Sequence, residues 1–255
     1  PRGGEQREGE GDHRDAGPGA HGARLAPRRM LPAAMWLLPL AAALVAASFT
    51  ASLARRFPER RSPAIALWAM ALAMYAVGCL ALAVGVARGF DPSTFRLYWM
   101  FGAVLNVPFL AAGEVALLWP RPITRTLLLA SLLVVTALTV TSTLGAAVDA
   151  AALVQTLPSG KDVFGPGTPA HRLPQVVSIP AYLVLLLGCG WSAWRMRGRT
   201  ELRNRFLGTL AIAGGATVIA GFGSAFAALG LVLPFSLAIL VGVATMYRGF
   251  LVASR

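Results

Sequence analysis

The sequence predicts an all-α fold, a bundle of seven transmembrane helices, on three observations. Hydrophobic residues make up 56% of the 255-residue chain and charged ones 13%, with a mean hydropathy of +0.63. Soluble domains carry about a quarter charged residues, so this chain lacks the polar surface to coat a globule in water. Charge is also segregated. Residues 1–29 hold six of the 23 basic and five of the 11 acidic residues, and past Met30 charge is confined almost wholly to short breaks between apolar runs. Seven such runs follow, each long enough for about 20 residues of helix.

Residues 1–32 are polar, rich in Gly and Pro and without periodicity, so they read as a disordered tail or an upstream extension. The natural start is expected near Met30 or Met35, and the membrane domain over 33–255. The expected spans are 33–54, 64–87, 97–119, 126–146, 178–195, 206–229 and 231–252. The first has a rival reading as a signal peptide, because Ser52-Leu53-Ala54 resembles a cleavage site, but Arg55 and Arg56 directly after it argue against export of that end. The fifth is short. Gly230 followed by Pro234 marks a tight hairpin between the last two. The long break 147–177 contains LPSGKDVFGPGTPAHRLP; it is a plain loop or a lid over a cavity, and the plain loop is the preferred reading.

Orientation follows from the basic residues. The breaks after spans one, three and five and the C-terminal end, with the adjoining span ends, hold 4, 2, 5 and 2 Lys or Arg; the others hold 2, 2 and 0. That bias predicts an N-terminus outside and a C-terminus in the cytoplasm. Trp36, Trp68, Trp99, Trp119, Trp191 and Trp194 all fall near span ends, where an interfacial belt accounts for them.

The formal charge of +12 does not signal nucleic-acid binding, because the arginines flank apolar segments rather than lining one amphipathic face. Membrane lipids, through their anionic headgroups, are the expected partners, with a protein partner or a second copy of the chain beside them. Cys79 and Cys189 lie inside spans and read as small hydrophobes. The Ala, Gly, Leu, Val and Arg bias, with Lys161 the single lysine, suits a high-GC bacterial genome and a plasma-membrane location.

Absences narrow the chemistry. No lysine lies in a span, so a retinal Schiff base has no anchor. No histidine does either, since His13 and His21 are in the tail and His171 is in the long break. Haem held by two histidines is excluded, and no metal or cofactor is expected. The chain lacks a phosphate-binding glycine loop, G-x-S-x-G and H-E-x-x-H, and no nucleophile–base pair stands out, so a non-enzymatic protein is expected.

The polar residues of the third span are the candidate site. Glu114 is the one acidic residue inside any span. A charge at membrane depth costs a few kcal/mol, so it usually faces the interior and pairs. Arg248, which ends the seventh span in the same leaflet, is the expected partner. The pair is either a structural ion pair or a proton- or ligand-coupled site. Pro108 should kink the helix, freeing the carbonyl of residue 104. Asn106 can satisfy that carbonyl or cross to a neighbour. Gly102, Asn106 and Gly113 share one face and read as a packing seam. In the sixth span Ala213, Thr217, Gly221 and Ala225 recur every four residues, a second expected packing stripe.

The stretches FRLYWMFGAVLNVPFLAAGEVALLWPRP (95–122), IPAYLVLLLGCGWSAWRMRGR (179–199) and YRGFLVASR (247–255) resemble a group of seven-helix bacterial membrane proteins, actinobacterial in character, to which no activity is assigned. Their shared pattern is an arginine, two aromatics, a Phe-Gly and an Asn-Val-Pro before a basic exit loop. The resemblance covers most of 33–255 and implies the seven-helix fold. Glu114 departs from it, because no fixed acidic residue stands there. The expected function is that of a sensor or accessory subunit recognising a small apolar or lipid-like ligand. The alternative is a small proton-coupled permease using Glu114 and Arg248.

Overall fold

Proline fixes where many of the helices begin. In the computed structural model, which describes residues 34–60 and 62–254, four spans open on it: α2 (Pro63–Arg88), α3 (Pro92–Leu118), α4 (Pro122–Gly145) and α5 (Pro169–Met196). The first helical N–H has no intrahelical acceptor, so proline there loses nothing and arrives with a helical φ. The remaining spans are α1 (Ala34–Arg60), α6 (Thr200–Ala228) and α7 (Val232–Ala253). All seven are long and apolar enough to cross a membrane, and the chain is a multi-pass membrane protein. The tail 1–32 lies outside the described residues.

Six of the helices close into a ring. α1 packs on α2, α2 on α3, α3 on α5, α5 on α6, α6 on α7, and α7 returns to α1. The closing contact is aromatic and polar. Phe49 stacks on Tyr247 at 5.0 Å, Ser52 Oγ and the Tyr247 hydroxyl lie 2.8 Å apart, and the Arg56 guanidinium sits 4.9 Å over the Phe250 ring. α4 stands outside the ring, against α3 and the first turn of α5.

Lipid supplies little hydrophobic drive between helices, so close backbone approach must hold them together. The α6–α7 seam achieves it with facing glycines. A Cβ on Gly215 would lie 2.4 Å from the Gly242 carbonyl oxygen, and one on Gly208 would lie 2.5 Å from that of Gly249. The two pairs are seven residues apart on each helix, and the antiparallel register follows from the turn between them. There Gly230 takes φ +68°, Leu231 N–H donates to the Phe226 carbonyl and Gly230 N–H to that of Ala227, a Schellman cap.

The expected stripe on α6 is corrected by this seam. Thr217, Gly221 and Ala225 are exposed, and nothing lies within 4 Å of a Cβ on Gly221. Ala213 packs against the core, and the Thr217 hydroxyl accepts from Tyr182 at 2.9 Å. The seam lies on the opposite face of the helix, Gly215 being two residues, about 200°, from both Ala213 and Thr217, and a π-helical turn over Val218–Gly223 shifts the register beyond it.

At the end of the bundle where α4 leads into α5, called the cap end here, residues 146–168 are not the plain loop expected. A 3₁₀ turn (Ala152–Val154) and a short helix (Gly160–Phe164) form a cap with Leu153, Leu157, Val163 and Phe164 buried. α5 accordingly starts nine residues earlier than expected, at Pro169, and carries Pro174 within a π-helical turn, Pro174–Ser178. The opposite end carries the arginine-rich turns and is called the arginine end.

Candidate functional site

α3 begins at the cap end with Asp91 as its N-cap. The carboxylate accepts from the N–H groups of Ser93 (2.9 Å) and Thr94 (3.0 Å) and from the Thr94 hydroxyl. These bonds, the Thr94 hydroxyl first, hold its carboxyl below the usual range. One turn on, Arg96 Nη2 donates to the Ala146 carbonyl (2.9 Å) just past the C-terminus of α4, where a cation also suits the helix dipole. Phe95 and Trp99 stack 5.8 Å apart and both meet Phe164 of the cap, while Trp99 Nε1 donates to Ala170 at 2.9 Å.

Trp99 is therefore a bolt between α3 and the cap rather than a belt residue. Trp68 departs from the belt too. Its Nε1 donates to the Leu110 carbonyl (3.1 Å), and its ring fills the space a side chain at Gly113 would need, 2.0 Å from a Cβ there. Trp119, Trp191 and Trp194 are about half exposed or more and fit an interfacial position.

Between Tyr98 and Leu105, α3 is π-helical, ending three residues before Pro108. Proline cannot donate to residue 104 and crowds its carbonyl, which accounts for the break in regular hydrogen bonding. The freed acceptors are met from α5, where Ser178 Oγ lies 3.0 Å from the Ala103 carbonyl and 3.1 Å from that of Val104. Two π-helical turns thus face each other and share one hydroxyl. Asn106 Nδ2 donates back to Gly102 at 3.0 Å, and its buried Oδ1 has no donor among the described residues. Gly102 itself lies against Gly78, where a Cβ would sit 2.6 Å from the Gly102 nitrogen. Gly102 and Gly113 both face α2.

Glu114 is 3% exposed and lies between α3 and α5. Ser192 Oγ is 3.4 Å from its Oε1, and Gly188 leaves room for its chain, since a Cβ at 188 would lie 2.6 Å from Glu114 Cγ. Arg248 is not its partner. It is exposed on α7, which two helices separate from α3 either way round the ring, and no ion pair joins the two residues among those described. Sharing a leaflet put both at the same depth, but ring order put them apart.

The ring axis holds a cavity of about 10 Å³, close to the smallest space that takes one water. Phe49, Trp68, Leu72, Leu110, Leu185, Ile212 and Met246 line it, so each of the six ring helices contributes and every lining side chain is apolar or aromatic. Leu110 is one helical turn from Glu114, about 6 Å along α3. A second, open groove of about 510 Å³ lies on the cap, between Ala147–Asp149 and Lys161–Pro166.

Ser178 and the seven-residue axis are the features sequence reasoning missed. The serine's signal was its place beside Pro180 in a span facing Pro108. No group of three or more His, Cys, Asp or Glu able to hold a metal occurs among the described residues. No protein-family model, curated protein or solved structure matches the chain.

Proposed function

We propose that this chain is a non-enzymatic sensor or accessory subunit that recognises a small apolar or lipid-like ligand at the ring axis. It belongs, in this reading, to the seven-helix bacterial group it resembles, in the plasma membrane, with the N-terminus and cap outside and the C-terminus in the cytoplasm. One observation carries the proposal: six helices converge on a cavity with no charged or hydrogen-bonding side chain other than the Trp68 N–H, which is already bound to Leu110. Such walls admit apolar molecules and reject ions. At about 10 Å³ the cavity is smaller than any such ligand, so a ligand enters by parting helices, and that coupling between occupancy and helix packing is what sensing requires. The shared Ser178 hydroxyl supports this reading, because it ties α3 to the element leading into the cap.

Native mass spectrometry of the protein extracted in mild detergent tests the proposal. The expected spectrum contains an adduct of fixed mass that survives where bulk lipid is stripped and is extractable into organic solvent. A bare chain, or a water-soluble polar adduct, would count against it.

The permease reading draws on the buried carboxyl of Glu114 beside Ser192, now without Arg248. It requires that Glu114→Gln abolish substrate-driven proton flux in proteoliposomes while the protein stays folded. Unchanged flux, or none in the natural chain, removes it.

A further inference from the structure

We propose that the turn between α5 and α6 is a binding site for an anionic phospholipid headgroup. Residues 195–205 contain five arginines and one acidic residue, Glu201, a local net charge of +4 (5 − 1). All five arginines are exposed. Arg197, Arg199 and Arg203 have no side-chain partner among the described residues. Arg56, on the α1 side of the same end, already lies over Phe250 and is not free in this way.

The turn is built rather than slack. Arg197 N–H donates to the Trp194 carbonyl, Arg199 N–H to Met196 and Leu202 N–H to Arg199, at 3.1–3.2 Å, and Gly198 takes φ +81°. A compact turn fixes the roots of the arginines while leaving their guanidinium groups outward. Just before it, Trp191 and Trp194 are 51% and 65% exposed, with ring centroids 5.3 Å apart. An indole pair on an outward helix face belongs at the headgroup level, its rings against glycerol and upper acyl chain. Guanidinium groups immediately beyond meet the phosphate, for which their forked donors are matched. Apolar rings below and cations above reproduce the order of groups in an anionic phospholipid. A soluble anion would use the arginines and leave the tryptophans unexplained, so the occupant is the lipid. The site does not depend on the ring-axis proposal.

The test is native mass spectrometry of the full chain from mixed micelles with equal phosphatidylglycerol and phosphatidylcholine. The natural chain should retain phosphatidylglycerol over phosphatidylcholine by about fivefold, and the preference should fall as salt rises. Arg197→Ala/Arg199→Ala/Arg203→Ala should bring the ratio near one, whereas Arg121→Ala/Arg125→Ala, at the same end, should leave it high. Trp191→Ala/Trp194→Ala should shorten retention of both lipids. A preference that survives the triple replacement, or falls equally in the Arg121/Arg125 variant, overturns the assignment. So does displacement of the lipid by millimolar inorganic phosphate, which would make the site one for a free anion. Lysine at the three positions guards against a folding defect: it should restore most of the preference, and failure to do so in a folded protein refutes a charge-based site.

Discussion

The α6–α7 seam and the α3–α5 seam solve the same problem with opposite chemistry. Between α6 and α7, Gly208 and Gly215 meet Gly249 and Gly242, backbone against backbone. Between α3 and α5 the helices meet through polar groups: Ser178 on two carbonyls and Ser192 on Glu114. Glycine seams gain from uniform close contact and have one good arrangement. Polar contacts in apolar surroundings are stronger singly but can be exchanged among acceptors, so a seam built on them can adopt a second arrangement. The contrast predicts that α3 is the more readily rearranged element and α6–α7 the frame, which the replacements below test.

The largest expected effect tests the polar seam. Glu114→Arg places an unpartnered cation between α3 and α5 and should lower stability by a few kcal/mol. Adding Arg248→Glu should recover none of it, measured by SDS-driven unfolding in mixed micelles, because the two positions do not meet. Recovery would restore the ion pair rejected here. In the frame, Gly215→Ala drives a Cβ to within 2.4 Å of a backbone oxygen. It should cost about 1–3 kcal/mol in the same assay, the usual range for overpacking a well-packed site. Gly221→Ala, on the outward stripe, should cost nothing and gain slightly in helix propensity. If the two replacements behave alike, the assigned seam is wrong.

Ser178→Ala should cost about 1 kcal/mol, and its signature is local. Amide hydrogen exchange should rise across residues 103–106 of α3 while α6 and α7 stay unchanged. Exchange that rises evenly would deny α3 its separate behaviour. The smallest effect lies where α3 begins. Asp91→Ala should lose about 0.5–1 kcal/mol of N-capping. The carboxyl's folded value is depressed, so its contribution is complete above the ordinary carboxylate range and is lost as pH falls through the lowered value. Asp91→Asn keeps the cap and should flatten that acid dependence. A natural chain whose stability is as flat as the variant's below pH 4 would contradict the capping role.

The spans were legible because hydropathy and proline act locally. A run of apolar residues after Pro63 or Pro122 can hardly be anything but a helix in lipid. α5 begins nine residues before its apolar run, because 169–175 carries His171, Arg172 and Gln175, which hydropathy alone leaves in the break. Rotation about each helix axis was illegible. Trp68 and Trp99 lie near span ends, as belt residues do, yet they point inward to Leu110 and Ala170. The four-residue stripe of α6 outshone the seven-residue glycine spacing that forms the seam, because either looks like packing until the partner helix is known. Glu114 stands out in the sequence as the one acidic residue in a span, but its neighbour is set by ring order, which no local pattern encodes. Ser178 stood beside Pro180 as its one signal, but which carbonyls it serves is set by ring order too.

The most direct test of the central claim, that the ring axis admits an apolar ligand, is photolabelling in nanodiscs with a small apolar diazirine probe, mapped by peptide mass spectrometry. Saturable label on Phe49, Leu72, Leu110, Leu185, Ile212 or Met246, competed by the co-purified ligand, is the predicted result. Label confined to lipid-facing residues such as Leu133, Leu187 and Phe222, and insensitive to competitor, would contradict it.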